Sequence, residues 1–159
     1  MKATNGTTRT DTQFSVIMAN KPHTLAQICQ RLADDHVNIV AFSMMDANEH
    51  GVLRIVVEDP VRARKSLAAL NVPTTESTVV LTDLPHRPGA LASVVQRLAR
   101  EHISVGYAYL STGTSSGKTM GVFRVSDIKK AMQVLQERRP VRRQTLLPRP
   151  TPRQRKARV

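Results

Sequence analysis

Tryptophan is missing from this chain, and the other aromatics come to five: Phe14, Phe42, Phe123, Tyr107 and Tyr109. A core must therefore be assembled from Leu, Val, Ile, Ala and Met, with those five rings as its large pieces. Cys29 is the single cysteine, which excludes an intrachain disulfide framework and suits a reducing cytoplasm. No apolar run approaches about 18 residues, so no membrane-crossing helix is expected. Residues 1–13 are polar and have no apolar h-region, so no signal peptide is expected. The expected location is cytoplasmic.

Acidic residues are absent from one region in particular. Between Arg138 and Val159 there are nine Lys or Arg and no Asp or Glu, so the rest of the chain carries only +3 of the formal +12. The basic excess belongs to the C-terminus and not to a folded body. Pro148 onward is rich in Pro and Arg, a composition that buries little and is expected to be disordered. A length of 159 residues with 40% apolar content suits one ordinary domain, or two small ones sharing a core.

What is present is organised around Leu84-Pro85-His86-Arg87-Pro88-Gly89-Ala90-Leu91. The apolar run Val79-Val80-Leu81 precedes it, and Leu91, Val94, Val95 and Leu98 follow at helical spacing. A strand is expected to end there, the chain to turn on Pro-Gly, and a helix to begin. Gly89 has no Cβ, so it admits special dihedrals and close approach. The first-turn N–H groups of the helix have no intrahelical acceptor and can receive a carboxylate.

The same stretch recurs upstream in altered form. Asn20-Lys21-Pro22-His23-Thr24-Leu25 matches His86-Arg87-Pro88-Gly89-Ala90-Leu91 at a shift of 66 residues, and Gln30-Arg31-Leu32-Ala33 matches Gln96-Arg97-Leu98-Ala99. Gly51-Val52-Leu53-Arg54-Ile55 returns as Gly121-Val122-Phe123-Arg124-Val125 at a shift of 70. The chain is an internal duplication whose second copy has a longer loop.

In chain order, residues 1–12 are expected to form a flexible lead and Phe14–Ala19 a first strand. A helix follows, capped by Thr24, with Leu25, Ile28, Cys29 and Leu32 as its apolar stripe. Val37–Met45 and Gly51–Val57 read as a hairpin. Asp59-Pro60 starts a second helix, with an N-cap and Pro at N1, and a short strand is expected within 72–75. The second copy opens at Val79 without a linker. It continues through a helix over 90–101, a strand over 103–110 with Val105, Tyr107 and Tyr109 on one face, and a strand over 120–125. A helix capped by Ser126 and a last strand over 141–147 complete it. The expected fold is α+β: two ferredoxin-like βαββαβ units side by side, with antiparallel sheets and helices on one face. Unit 1 spans 13–77, unit 2 spans 78–147, and 148–159 is a basic tail.

A βαββαβ unit with Pro88-Gly89-Ala90-Leu91 opening its first helix resembles the ACT domain, a small amino-acid-sensing module. The likeness is best through Arg87–Leu91, Leu98-Ala99 and Ile103-Ser104-Val105, and it covers residues 13–147 as a tandem pair like stand-alone ACT proteins. It implies a free amino acid bound at an interface between ACT units, against the loop joining first strand and first helix. The ligand-binding residues it implies are His86, Arg87, Pro88, Gly89, Ala90 and Leu91, with Asn20 and Tyr107 as secondary members. The first copy departs from the pattern, with His23 where Gly is expected.

Other motifs reduce to simpler readings. Gly113–Thr119 has phosphate-loop residues, but it lacks one residue of spacing and precedes a strand, so it reads as a hairpin loop. Lys118–Val125 lacks the aromatics of an RNA-reading strand and reads as core. His36 and His102 sit at helix ends, where the dipole favours a cation, without a ligand cluster for metal. Cys29 reads as packing and Met44-Met45 as core or interface filling. Arg87 reads equally as a solvated turn residue or as a carboxylate partner. No nucleophile–base pair stands out, so no enzyme, metal or cofactor is expected. The reading is a non-catalytic regulatory module whose partners are a free amino acid and a second copy of itself in a homodimer. Through the tail, an acidic protein or nucleic acid bound without sequence preference is also admitted; a membrane is not. The alternatives are a nucleic-acid-binding protein using that tail and an oligomerisation module with a vestigial site.

Overall fold

The computed structural model describes residues 8–19, 21–45, 50–112 and 118–136. Among the described residues six strands and four helices follow one another as β1 (Thr8–Ala19), α1 (Pro22–Asp34), β2 (Ile39–Met45), β3 (His50–Val57), α2 (Pro60–Ala69), β4 (Thr74–Pro85), α3 (Ala90–Arg100), β5 (Val105–Thr112), β6 (Lys118–Val125) and α4 (Ile128–Gln136). All strand pairs are antiparallel, in one sheet of order β2-β3-β1-β4-β6-β5. The two copies share this sheet, as the missing linker implies.

Alternation along each strand sorts side chains between two faces. On the outer face, Phe14, Val16, Met18, Leu53, Ile55 and Val57 pack under Ile28 and Leu32 of α1 and Ala63 and Leu67 of α2. The second copy repeats the layer with Val80, Leu84, Phe123 and Val125 under Val94 and Leu98 of α3 and Ala131 and Leu135 of α4. The inner face carries a core common to both copies: Ala41, Val56, Val79, Leu81, Met120 and Val122, with Tyr109 against it. The sheet curls around this inner core until its edge strands meet, Ser111 Oγ donating to the Val40 carbonyl at 3.1 Å. Gln13, fully buried, joins the copies across the curl. Its Nε2 donates to the Tyr107 hydroxyl at 2.6 Å, and its Oε1 accepts from the Tyr109 hydroxyl at 3.0 Å.

Several boundaries differ from the sequence-based expectation. β1 begins at Thr8 and not at Phe14: Thr8–Thr12 pair with Thr78–Thr82, in register with the Gln13–Val16 pairing to Thr74–Ser77. These residues occupy the place beside β4 that a fourth strand of the second copy would take. The strand expected over 141–147 lies outside the described residues. The separate strands expected near 72–75 and from Val79 are one continuous β4, so the expected boundary at 77/78 falls inside a strand. The apolar run and the Thr-rich stretch before it both have β propensity, and no turn residue separates them.

Helix caps follow the same lesson. α1 begins at Pro22, not after Thr24, with Lys21 at N-cap and no side-chain cap. Asp59 caps α2 as expected, accepting from the Arg62 amide at 2.9 Å. In α4 the cap is Asp127, which accepts from the Lys130 amide at 2.9 Å; Ser126 Oγ instead accepts from the Ser104 amide. Arg62 and Lys130, one cation in each copy, reach the carbonyls of Asp35 and Glu101 at the ends of α1 and α3. Exposure corrects the packing expected of Cys29 and Phe42, and removes the core alternative for Met44-Met45. Cys29 is exposed on the flank of α1, Phe42 is 47% exposed on edge strand β2, and Met44 and Met45 are exposed beside it.

Candidate functional site

The two strand-to-helix turns can be compared directly, because Ala19 matches Pro85 at the 66-residue shift and each ends its strand. In the first copy α1 starts at Pro22, so the turn is residues 20–21 alone. In the second, α3 starts only at Ala90, and the turn is His86–Gly89. The difference traces to one residue pair. Gly89 is the α3 N-cap with φ +84°, a left-handed conformation that glycine takes without penalty. His23 stands in its place upstream and lies within α1. Both turns close with matching hydrogen bonds, in the first copy from the Lys21 amide to the Ala19 carbonyl and from the Thr24 amide to the Lys21 carbonyl, so the left-handed step at Gly89 is what sets the second apart.

A cavity of about 250 Å³ sits against the open turn, lined by Leu84, Pro85, His86, Arg87, Pro88, Ala90, Leu91, Leu110 and Thr119. Leu84 is nearly buried and forms its floor, while Leu91 and Leu110 are 41% and 48% exposed and form its walls. The Arg87 amide donates to the Pro85 carbonyl at 2.8 Å and the Ala90 amide to the Arg87 carbonyl at 3.3 Å. These bonds fold the turn back on itself. α3 has no side-chain cap, and its N2 and N3 amides, on Leu91 and Ala92, have no acceptor within the helix.

Of the residues singled out in the sequence, His86, Arg87, Pro88, Ala90 and Leu91 meet in this cavity. Gly89 is not among the lining residues; a Cβ built there meets no protein atom within 4 Å, so within the chain it is the left-handed φ that asks for glycine. Tyr107 is elsewhere. A bulge between Val105 and Tyr107 shifts the alternation, sending Val105 to the outer core and both tyrosines to the inner face. Val105 therefore does not share a face with Tyr107 and Tyr109. Tyr107 bonds Gln13 and stacks under the Arg54 guanidinium, 4.3 Å from the ring centre. Burial pushes the Tyr109 hydroxyl pKa above the usual phenol value. Asn20 lies outside the described residues.

Sequence reasoning missed Leu84, Pro85, Leu110 and Thr119 as lining residues. Leu84 could have been read as the last helix-facing residue of the Val80-Thr82-Leu84 alternation. Leu110 and Thr119 reach the cavity through strand pairing, Leu84 with Thr119 and Leu110 with Gly121, which local pattern does not reveal. Every lining residue belongs to the second copy, so the cavity does not lie between the two copies of one chain. A second hollow of similar size lies under α2, lined by Phe14, Arg64, Leu67, Ala68, Val72, Thr74 and Glu76. There Arg64 and Glu76 satisfy each other through paired bonds of 2.6 and 2.7 Å, and little is left for a ligand. Among the described residues no group of His, Cys, Asp and Glu could hold a metal ion, and no helix is long and apolar enough to cross a membrane.

A comparison with curated proteins returns no match. Among solved structures, the chain is similar to protein BT0572 from Bacteroides thetaiotaomicron, at 29% identity and a TM-score of 0.74 over 83% of this chain and 89% of that one. The ligand-free regulatory subunit of aspartate kinase from Thermus thermophilus shares the fold at 15% identity, with a TM-score of 0.59 over 84% of this chain and 97% of that one. The corresponding subunit from Thermus flavus does so at 16% identity, with a TM-score of 0.57 over 83% and 95%. The family model for the ACT domain pair matches residues 9–141. With the duplicated βαββα layout, the shared sheet and the glycine-opened turn, this match shows that the chain belongs to the ACT domain pair family.

Proposed function

We propose that this ACT pair is a non-catalytic regulatory module that binds a free amino acid at the turn before α3. The observation that carries the reading is the cavity at the His86–Gly89 turn, opened by the left-handed Gly89 and backed by the uncapped start of α3. Its volume lies below the roughly 300–1,000 Å³ of drug-sized sites, which suits a ligand as small as one amino acid. The ligand carboxylate meets the first-turn amides at Leu91 and Ala92, where the helix dipole favours negative charge, and Arg87 supplies a cation at the rim. The ammonium is received by Thr119 and by carbonyls of the turn, and the side chain lies against the leucines.

The adjoining ACT unit comes from a second copy of the chain, because the first copy of the same chain contributes no lining residue. Leu91, Val95 and Leu110 are exposed around the opening and lose water when such a unit docks. Binding then stabilises one placement of two chains over others, which is how a ligand shifts a conformational equilibrium. Two of the fold neighbours are regulatory subunits of an enzyme, which is consistent with such a role.

A thermal-shift screen against the common amino acids tests the reading. A ligand at 100 times its Kd is expected to add about 2.7 kcal/mol of stability. Absence of any shift at millimolar concentrations would remove the reading.

A further inference from the structure

Resting on the site just proposed, we infer that the ligand is an aliphatic amino acid of the size of valine, leucine, isoleucine or methionine, and that Leu110 is the residue selecting it. The lining decides the class. Leu84, Leu91, Leu110 and Ala90 present hydrocarbon, Pro85 and Pro88 add two rings, and the polar side chains are those of Thr119, His86 and Arg87. Among the described residues no Asp or Glu lines the cavity, so a lysine or arginine side chain would enter without a counter-charge, at the cost of desolvation. An acidic side chain could pair with Arg87, but it would compete with the ligand's own carboxylate for that cation and leave the leucines unsatisfied. Glycine and alanine would leave most of the apolar wall wet.

Exposure points the same way. Leu91 on α3 and Leu110 on β5 both line the cavity, and both are more than two-fifths exposed. A branched alkyl chain placed between them and above Leu84 covers all three. Each methylene removed from water is worth about fourfold in affinity, so leucine is expected to bind at least tenfold more tightly than alanine. Leu110 holds its position through backbone pairing with Gly121 while its side chain stays at the surface. It can therefore be changed without opening the core.

The experiment is calorimetric titration of the full chain with leucine, isoleucine, valine, methionine, alanine, aspartate and lysine, repeated on Leu110→Asp and Leu110→Ala. The expected result is binding of the aliphatic members with alanine at least tenfold weaker. Leu110→Ala is expected to lower leucine affinity several-fold, and Leu110→Asp to lower it more than tenfold while raising lysine affinity. Preference for aspartate, lysine or alanine in the wild-type chain would overturn the inference and leave the amino-acid reading standing. Unchanged selectivity in both folded variants would overturn the assignment to Leu110. Binding of no amino acid would overturn the reading on which it rests. The wild-type panel decides the ligand class even if a variant fails to fold.

Discussion

At the scale of single residues, backbone conformation explains more than side-chain chemistry does. His36 and His102 take φ of +54° and +56°, each two residues past the end of a helix. The His36 and Val37 amides return to the carbonyls of Ala33 and Leu32, and those of His102 and Ile103 to Ala99 and Leu98, which is the Schellman closure. The histidines are helix stops held in a region that costs a side-chain residue about 1–2 kcal/mol. Glycine removes that cost and returns about 0.4–1 kcal/mol of unfolded-chain entropy. His102→Gly is therefore expected to stabilise the chain by about 0.5–1 kcal/mol in urea denaturation. Gly121 shows the opposite need. A Cβ there would stand 2.5 Å from Cε2 of the fully buried Phe123 and 3.2 Å from Leu84. Gly121→Ala is expected to cost about 1–3 kcal/mol, as overpacking of a filled core does, read in the same experiment. The open turn was legible because Pro-Gly is a turn signal with a mechanism. The histidines' backbone role was not, because Gly or Asn is the usual sign of that conformation.

Among elements, the helix pair of the first copy is tied through Asp35. Its carboxylate accepts from the Ser66 hydroxyl at 2.6 Å and from Arg31 Nε at 2.7 Å, and these two bonds, the serine's first, hold its pKa below the usual value. Arg64 does the same for Glu76. A carboxylate whose folded pKa is depressed contributes stability that is present above its unfolded pKa and lost as pH falls through the folded one. Melting temperature is thus expected to drop as pH falls below about 4, and Ser66→Ala is expected to flatten that drop. On the inner face, Gln13→Leu removes the partner of both Tyr107 and Tyr109 hydroxyls, and is expected to cost about 1–3 kcal/mol for each group left buried and unpaired. Helix and strand identities followed from periodicity, whereas the bulges before Tyr107 and before Ala41 did not. A bulge adds a residue without changing composition, and one residue exchanges the faces of everything after it.

Considered whole, the molecule is a duplication in which the start of β1 supplies the second copy with the strand half beside β4. The repeated Gly-Val-x-Arg strands and the shift of 66 residues made the pairing of copies legible. The use of Thr8–Thr12 beside β4 was not, because a polar Thr-rich segment carries no hydrophobic alternation to mark it as a strand. Arg9 and Asp11 on that segment pair with each other at 3.6 Å above the shared inner core. The basic tail is expected to be dispensable for the site, so a chain ending at residue 147 should bind its amino acid with unchanged affinity in a calorimetric titration. Any nucleic-acid binding by the full chain should fall on that truncation and weaken steeply with salt. The central claim is that the glycine-opened turn of the second copy is the amino-acid site. It is tested most directly by titrating the isotopically labelled protein with leucine and following backbone amide resonances. The account predicts saturable shifts at His86, Arg87, Gly89, Leu91, Leu110 and Thr119, with Lys21, His23, Thr24 and Leu25 unmoved. Shifts centred on Lys21–Leu25, or none at any residue with any common amino acid, would contradict it.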